Sequence, residues 1–320
     1  MGRRPTGRYL RDMDTSPRAR MAPTPSGYLH VGNAANFALT WLLVRSRGGS
    51  LRLRIDDLDG ERLRPAYLED IFRTLDWLGL DWDLGPTGPD EHLHSYSQHL
   101  RIDRYRDLLA QLVGQLFACD CSRRAVAGAS PDGQYPGTCR DRHLSPDLPG
   151  VAWRFRTSPA APVCWQDQVL GRVCVDLHTH LRDFVVRRRD QQPAYQIASL
   201  ADDLDYGTDL IVRGADLLHS TAAQLALSHS LGAGRFGQVQ FWHHPLLSDA
   251  AGHKLSKSAG SLSLQHWRAA GLDAAFFYTW LAQVLGLPPA RSASELLAGC
   301  QRGTALRFDA WQAPVLPTAQ

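Results

Sequence analysis

The order of strand-like and helix-like runs constrains this chain more than its composition does. "RARMAPTP" at 18–25 reads as a short strand entering a turn, and the turn continues through Gly27, His30 and Gly32. An apolar, helix-patterned run follows from about Asn33 to Arg47, and Gly48 and Gly49 stop it, glycine being favoured just past a helix end. Next, "SLRLRID" alternates as a strand does and ends among Asp56, Asp57 and Asp59. Helical patterns return at 66–79 and 97–117, separated by the loop "GLDWDLGPTGPDE". Strand–helix–strand–helix predicts an α/β fold with a doubly wound parallel sheet.

From Cys119 to about Pro149 the texture changes to Gly, Pro, Ser and Cys, and short β-like segments such as "AWRFRT" and "GRVCVDL" follow. We read 118–190 as an insertion between two halves of the sheet domain, 18–117 and 191–262. The rhythm resumes with "YQIASLADDLDYGTDLIVRGADLL", a helix at 220–231 and a strand near 238–243. A helical segment closes the chain over 263–320, and 1–17 reads as a disordered tail. No internal repeat is visible.

Composition narrows the function classes. With 320 residues, 44% of them hydrophobic and 21% charged, the chain can bury a sizeable core. The net charge of +3 excludes a polycation, so contact with nucleic acid has to come from a local surface such as Arg187, Arg188 and Arg189. That trio also reads as a solvated turn. No run reaches the roughly 18 apolar residues of a membrane span, and the basic N-terminus lacks a secretory apolar segment. The cytoplasm is therefore the expected compartment, where disulfides are unexpected, and Cys164, Cys174 and Cys300 read as small buried hydrophobes.

Two loops carry the chemistry. A glycine-bearing turn before a helix N-terminus, as at "SGYLHVGN", lets backbone N–H groups approach a phosphate, and His30 can donate to its oxygens. "HKLSKSAG" at 253–260 sets Lys254 and Lys257 among small residues, which suits neutralising a polyphosphate leaving group. Either loop alone is compatible with a merely structural turn.

Together, "HVGN" (His30, Val31, Gly32, Asn33) and "KLSKS" (254–258) resemble the two signature motifs of class I aminoacyl-tRNA synthetases. "RMAPTPSGYLHVGN", "LRIDDLD" and "YQIASLADDLDYGTDLIVRGADLL" resemble the glutamyl subgroup of that family, over roughly 18–290. The resemblance implies a class I Rossmann-type catalytic domain with an inserted zinc-containing subdomain, which binds ATP with Mg2+ through His30, Gly32, Asn33, Lys254 and Lys257. His30, Lys254 and Lys257 take the catalytic roles. For L-glutamate it implies Arg20, Thr24, Asp56, Tyr195 and Arg213, with the arginine forks on carboxylates and Asp56 on the ammonium. Three departures stand out: Asn33 replaces the second histidine of the first motif, Asp56 replaces a glutamate, and Ser199 stands where an asparagine can occur.

Cys119, Cys121 and Cys139 provide three of the four thiolate-type ligands that a structural zinc needs. Tyr135 occupies the fourth place in the pattern of a truncated glutamyl subgroup, with His143 the conventional substitute and three unmetallated thiols the plain alternative. With 62 residues after Ser258, no separate anticodon-reading module is expected. That truncated subgroup attaches glutamate to the queuosine base in the anticodon loop of tRNA(Asp), and the same reaction is expected here, from a monomer. The rivals are a compact enzyme charging the 3′ end of tRNA(Glu) and a non-catalytic tRNA-binding paralogue.

Overall fold

Four short strands, Arg18–Met21 (β1), Ser50–Leu53 (β2), Leu210–Gly214 (β3) and Gln240–His244 (β4), pair in parallel in the order β2-β1-β3-β4. The computed structural model describes residues 8–9, 16–60, 63–130, 134–159, 162–248, 263–300, 304–309, 311–312 and 314. These strands belong to one of two compact units, comprising Met1–Ser97, Asp209–Asp216 and Gln240–Gln320. The helix Val31–Arg45 (α1) follows β1 and packs on β1, β2 and β3. It is buried almost all round, through Val31, Ala34, Phe37, Leu42 and Val44 among others, as expected of a helix covered on both sides. Of the segment 263–320 expected to be helical, Leu264–Ala269, Ala274–Leu285 and Ala293–Gly299 are helices, but Ala305–Leu306 and Trp311–Gln312 are short strands. Within the stretch 1–17 read as a disordered tail, Arg8–Tyr9 is instead a short strand paired antiparallel with Ala305–Leu306, because its backbone finds partners there.

The strand order fixes where a ligand can sit. The chain steps from β1 to β2 on one side and places β3 on the other, so β1 and β3 flank a switch point, where α/β sheets open a crevice beyond the strand ends.

The second unit comprises Gln98–Thr208 and Leu217–Val239. It holds a three-stranded antiparallel sheet of Leu116–Cys119, Ala152–Phe155 and Val185–Arg187, a hairpin of Val163–Asp167 with Gly171–Val175, and the helices Ile102–Gln111, Tyr195–Asp205 and Leu218–Ser230. The continuous helix expected over 97–117 is shorter: a 3-10 turn leads into Ile102–Gln111, and the chain is already a strand at Leu116. Buried Asp202 organises this part, accepting from Gln98 Nε2 (2.9 Å), Arg101 Nε (2.7 Å) and Tyr105 Oη (2.9 Å).

Two of the cysteines read as buried hydrophobes are neither buried nor free. Cys164 and Cys174 face each other across the hairpin, exposed and disulfide-bonded. The antiparallel register sets them directly opposite, where β-carbons stand close enough for a bridge. Cys300 is buried, as expected.

Candidate active site

The loop from Ala22 to His30 ends in a cap built by its own residues. His30 is extended (φ −108°, ψ 168°) and exposed, and its Nδ1 accepts from Gly32 N–H at 3.1 Å. Asn33 Oδ1 accepts in return from His30 N–H at 3.0 Å, which completes a reciprocal capping box. So the asparagine that replaces a histidine does structural work. A β-carbon at position 32 would lie 3.0 Å from His30 Cε1 and Nδ1, so the capping ring would have to shift to admit one.

Lys254 and Lys257 lie outside the described residues. The flanks of their segment do not: a β-carbon placed on Gly32 would lie 3.6 Å from Leu247, while Ser263 forms a β-bridge with His30 and Leu264 N–H donates to Leu29 O at 2.8 Å. The described residues on either side of that segment thus both lie beside the helix-capping loop or the helix start.

The register assembles the cationic residues. Arg20 is opposite Arg52 on β2, Ala19 is opposite Leu210, and Arg213 is opposite His243 on β4. Counting by the pleat, Arg20, Arg52 and Arg213 share one face of the sheet. Arg20 and Arg213 are buried, at 5% and 3% exposure, on the two strands that border the switch point. Arg54 follows on the same face, its N–H still bonded to Met21 O. Sequence reasoning missed Arg54, which grips Asp56 with Nε at 2.7 Å from Oδ1 and NH2 at 3.2 Å from Oδ2. The even spacing of 52 and 54 in "LRLRID" was the available signal. Thr24 is exposed in the capping loop, and Asp56 N–H donates to Pro23 O beside it.

Asp57 was passed over too. Its carboxylate, 1% exposed, accepts from Ser97 Oγ at 2.6 Å and from His92 Nε2 at 2.9 Å. His92–Tyr96 is a π-helical turn.

In the second unit, Tyr195 opens its helix and is 41% exposed, while Ser199, one turn on, is fully buried. The thiols of Cys119, Cys121 and Cys139 converge within 4.8 Å of one another, with Cys121 Sγ 3.5 Å from Cys139 Sγ. Tyr135, at 4% exposure, joins them: its hydroxyl accepts from Cys139 N–H at 2.7 Å. His143 is exposed and lies outside this group. Arg154 sits 3.7 Å over the Tyr135 ring. Burial opposes ionisation of Cys119, but the Arg154 guanidinium and the Cys121 backbone outweigh it and hold that thiol below its usual range. Burial and the neighbouring sulfurs push Cys121 up to about 12.

Arg187, Arg188 and Arg189 are engaged within the chain. Arg187 stacks 4.0 Å over Trp153, Arg188 pairs with Asp190, and Arg189 Nε donates to Gly150 O at 2.6 Å.

The family model for tRNA synthetases class I (E and Q), catalytic domain, matches residues 17–128 and 145–299. A glutamyl-Q tRNA(Asp) synthetase of Nitratidesulfovibrio vulgaris is 39% identical over 85% of this chain and 87% of its own length. One from Parasynechococcus marenigrum is 41% identical over 89% of each. A glutamate–tRNA ligase of Anaeromyxobacter sp. is 36% identical over 80% of this chain but only 54% of itself. Among solved structures, a glutamate tRNA ligase from Elizabethkingia meningosepticum superposes with a TM-score of 0.72 at 23% identity, over 92% of this chain and 68% of that one, a likeness of fold.

Proposed function

This chain belongs to the glutamyl-Q tRNA(Asp) synthetase branch of the class I tRNA synthetases, a family of ligases, and from that premise we propose that it activates L-glutamate with Mg-ATP and transfers it to queuosine in the anticodon loop of tRNA(Asp). One observation carries the substrate reading: Arg20 and Arg213 are buried on one face of the sheet, on the two strands bordering its switch point. Cations so placed suit a dicarboxylate, which arginine forks bind bidentately.

In the first step a glutamate α-carboxylate oxygen attacks the α-phosphorus of ATP. The P–O bond to pyrophosphate breaks, and glutamyl-adenylate forms. Arg20 and Arg213 hold carboxylates, Thr24 and Tyr195 offer hydroxyls, and Asp56 faces the ammonium with Arg54 fixing its orientation. Gly32 and Asn33 meet the phosphate oxygens in the positive field at the start of α1. His30, Lys254 and Lys257 stabilise the charge that develops there, so catalysis is positioning plus electrostatics. In the second step a hydroxyl of the queuosine cyclopentene ring attacks the activated carbonyl, AMP departs with the bonding pair, and the hydroxyl proton passes to a phosphate oxygen of the departing AMP.

Zinc fits the cysteine cluster. Bonds of about 2.3 Å in a tetrahedron set sulfurs about 3.8 Å apart, a spacing the three thiols can adopt. Cys119, Cys121, Cys139 and Tyr135 would hold the ion, which would supply structural cross-linking. Arg154 and Arg142 stand by to balance thiolate charge.

The test is transfer of labelled glutamate to bulk tRNA from queuosine-proficient and queuosine-deficient cells. Labelling of tRNA(Asp) in the proficient pool alone is expected. Equal labelling of tRNA(Glu) in both pools overturns the acceptor, and no labelling of either overturns the enzyme reading.

A further inference from the structure

We propose that His92 and Ser97 are positioning residues for amino-acid recognition: by fixing the Asp57 carboxylate they set the neighbouring Asp56, which meets the substrate ammonium. The proposal rests on the glutamate-activating role given above.

Asp56 and Asp57 are consecutive, buried and bound to different partners. Asp56 is held by the Arg54 fork (side chains 8% and 4% exposed), while one oxygen of Asp57 receives both His92 Nε2 and Ser97 Oγ. A carboxylate only accepts, so Nε2 carries the proton and donates. Fixing both side chains leaves the backbone of this pair little freedom to turn.

The π-helical turn explains how two donors reach one oxygen. Ser97 N–H donates to His92 O at 2.8 Å, a five-residue step. In an α-helix, five residues advance the side chain about 140° past a full turn, which would send His92 and Ser97 apart. The wider turn brings them to the same side. Such turns are rare and concentrate at functional sites.

The arrangement is also costly. His92 is fully buried, and its Nδ1 has no hydrogen-bond partner among the described residues. Burying a polar group without a partner lowers stability, and a buried carboxylate with its donors is seldom better than an apolar core. A cost retained beside the residue assigned to the ammonium points to precision at that residue.

The experiment measures glutamate- and ATP-dependence of pyrophosphate exchange, with queuosine-containing tRNA present, for the full chain and for Ser97→Ala, His92→Phe and His92→Gln. Rates are normalised to active sites by burst titration. We expect Ser97→Ala and His92→Phe to raise the glutamate KM about tenfold, in the range that small misplacements cost, with the ATP KM unchanged. His92→Gln, which keeps a donor, should recover most of the loss. A packing role predicts fewer active sites and a lower Tm with an unchanged glutamate KM, and that result overturns the proposal. Should His92→Phe not fold, Ser97→Ala decides alone, since it removes a single oxygen. Wild-type protein that exchanges pyrophosphate with no amino acid, or with one other than glutamate, overturns the functional reading and this proposal with it. Normal wild-type exchange with unmoved variants overturns the positioning role only.

Discussion

His244 shows how a single residue can tie the helix α1 to pH. Its Nδ1–H donates to Pro245 O at 2.8 Å, and its Nε2 accepts from Asn36 of α1 at 3.1 Å. The ring also stacks on Trp311 at 4.8 Å. Burial lowers its pKa to about 4, against the weaker opposing pull of the Pro245 carbonyl and Asp216. The folded form therefore resists a proton that the unfolded chain accepts below about 6.5. This contribution is constant above that pH, and stability declines as pH falls from about 6.5 to about 4, by about 3 kcal/mol in all. Urea unfolding of wild type and His244→Gln across pH 7.5 to 4.5 checks this. The wild type should lose stability more steeply, and parallel curves would refute the assignment.

At the scale of the element, the segment 116–143 gathers four ligand-type side chains from a strand and two loops. Cys119 ends its strand, Cys121 follows, and Tyr135 and Cys139 arrive after the helix Arg123–Ala129, packed against Phe117. We expect purified protein to carry about one zinc per chain by elemental analysis, reflecting four-ligand structural sites. Cys139→Ser should lose the metal and lower Tm, and a chelator should reproduce the shift in the wild type. Tyr135→Phe should weaken zinc retention, and full retention would leave the fourth position to another ligand. The three cysteines were legible as a candidate cluster from their spacing, and Tyr135 only through the resemblance to the truncated subgroup, whereas α1 and the strand before it followed from local patterns. The Asp57 network and the Cys164–Cys174 bridge were not. Asp57 meets partners 35 and 40 residues away through a π-turn that no simple periodicity marks. The two hairpin cysteines, ten residues apart, become a pair only once the antiparallel register is known.

For the whole molecule, a net charge of +3 leaves tRNA contact to local surfaces. Because Arg188 and Arg189 already bind Asp190 and Gly150, we predict that Arg188→Ala with Arg189→Ala leaves the salt dependence of the tRNA KM unchanged. A decrease in log–log slope of about 0.7 to 0.9 per lost phosphate contact would show instead that they meet the backbone. Arg20 and Arg213 were recognisable as candidates, but their shared face needed the pairing of β1 with β3. That pairing works as a parity check on the gene. One codon inserted between Ala19 and Arg20 would leave composition, charge and strand propensity almost untouched, yet it would turn the guanidinium to the opposite side of the sheet. Substitutions along β1 can therefore be graded by size and charge, whereas a length change of one is all-or-none.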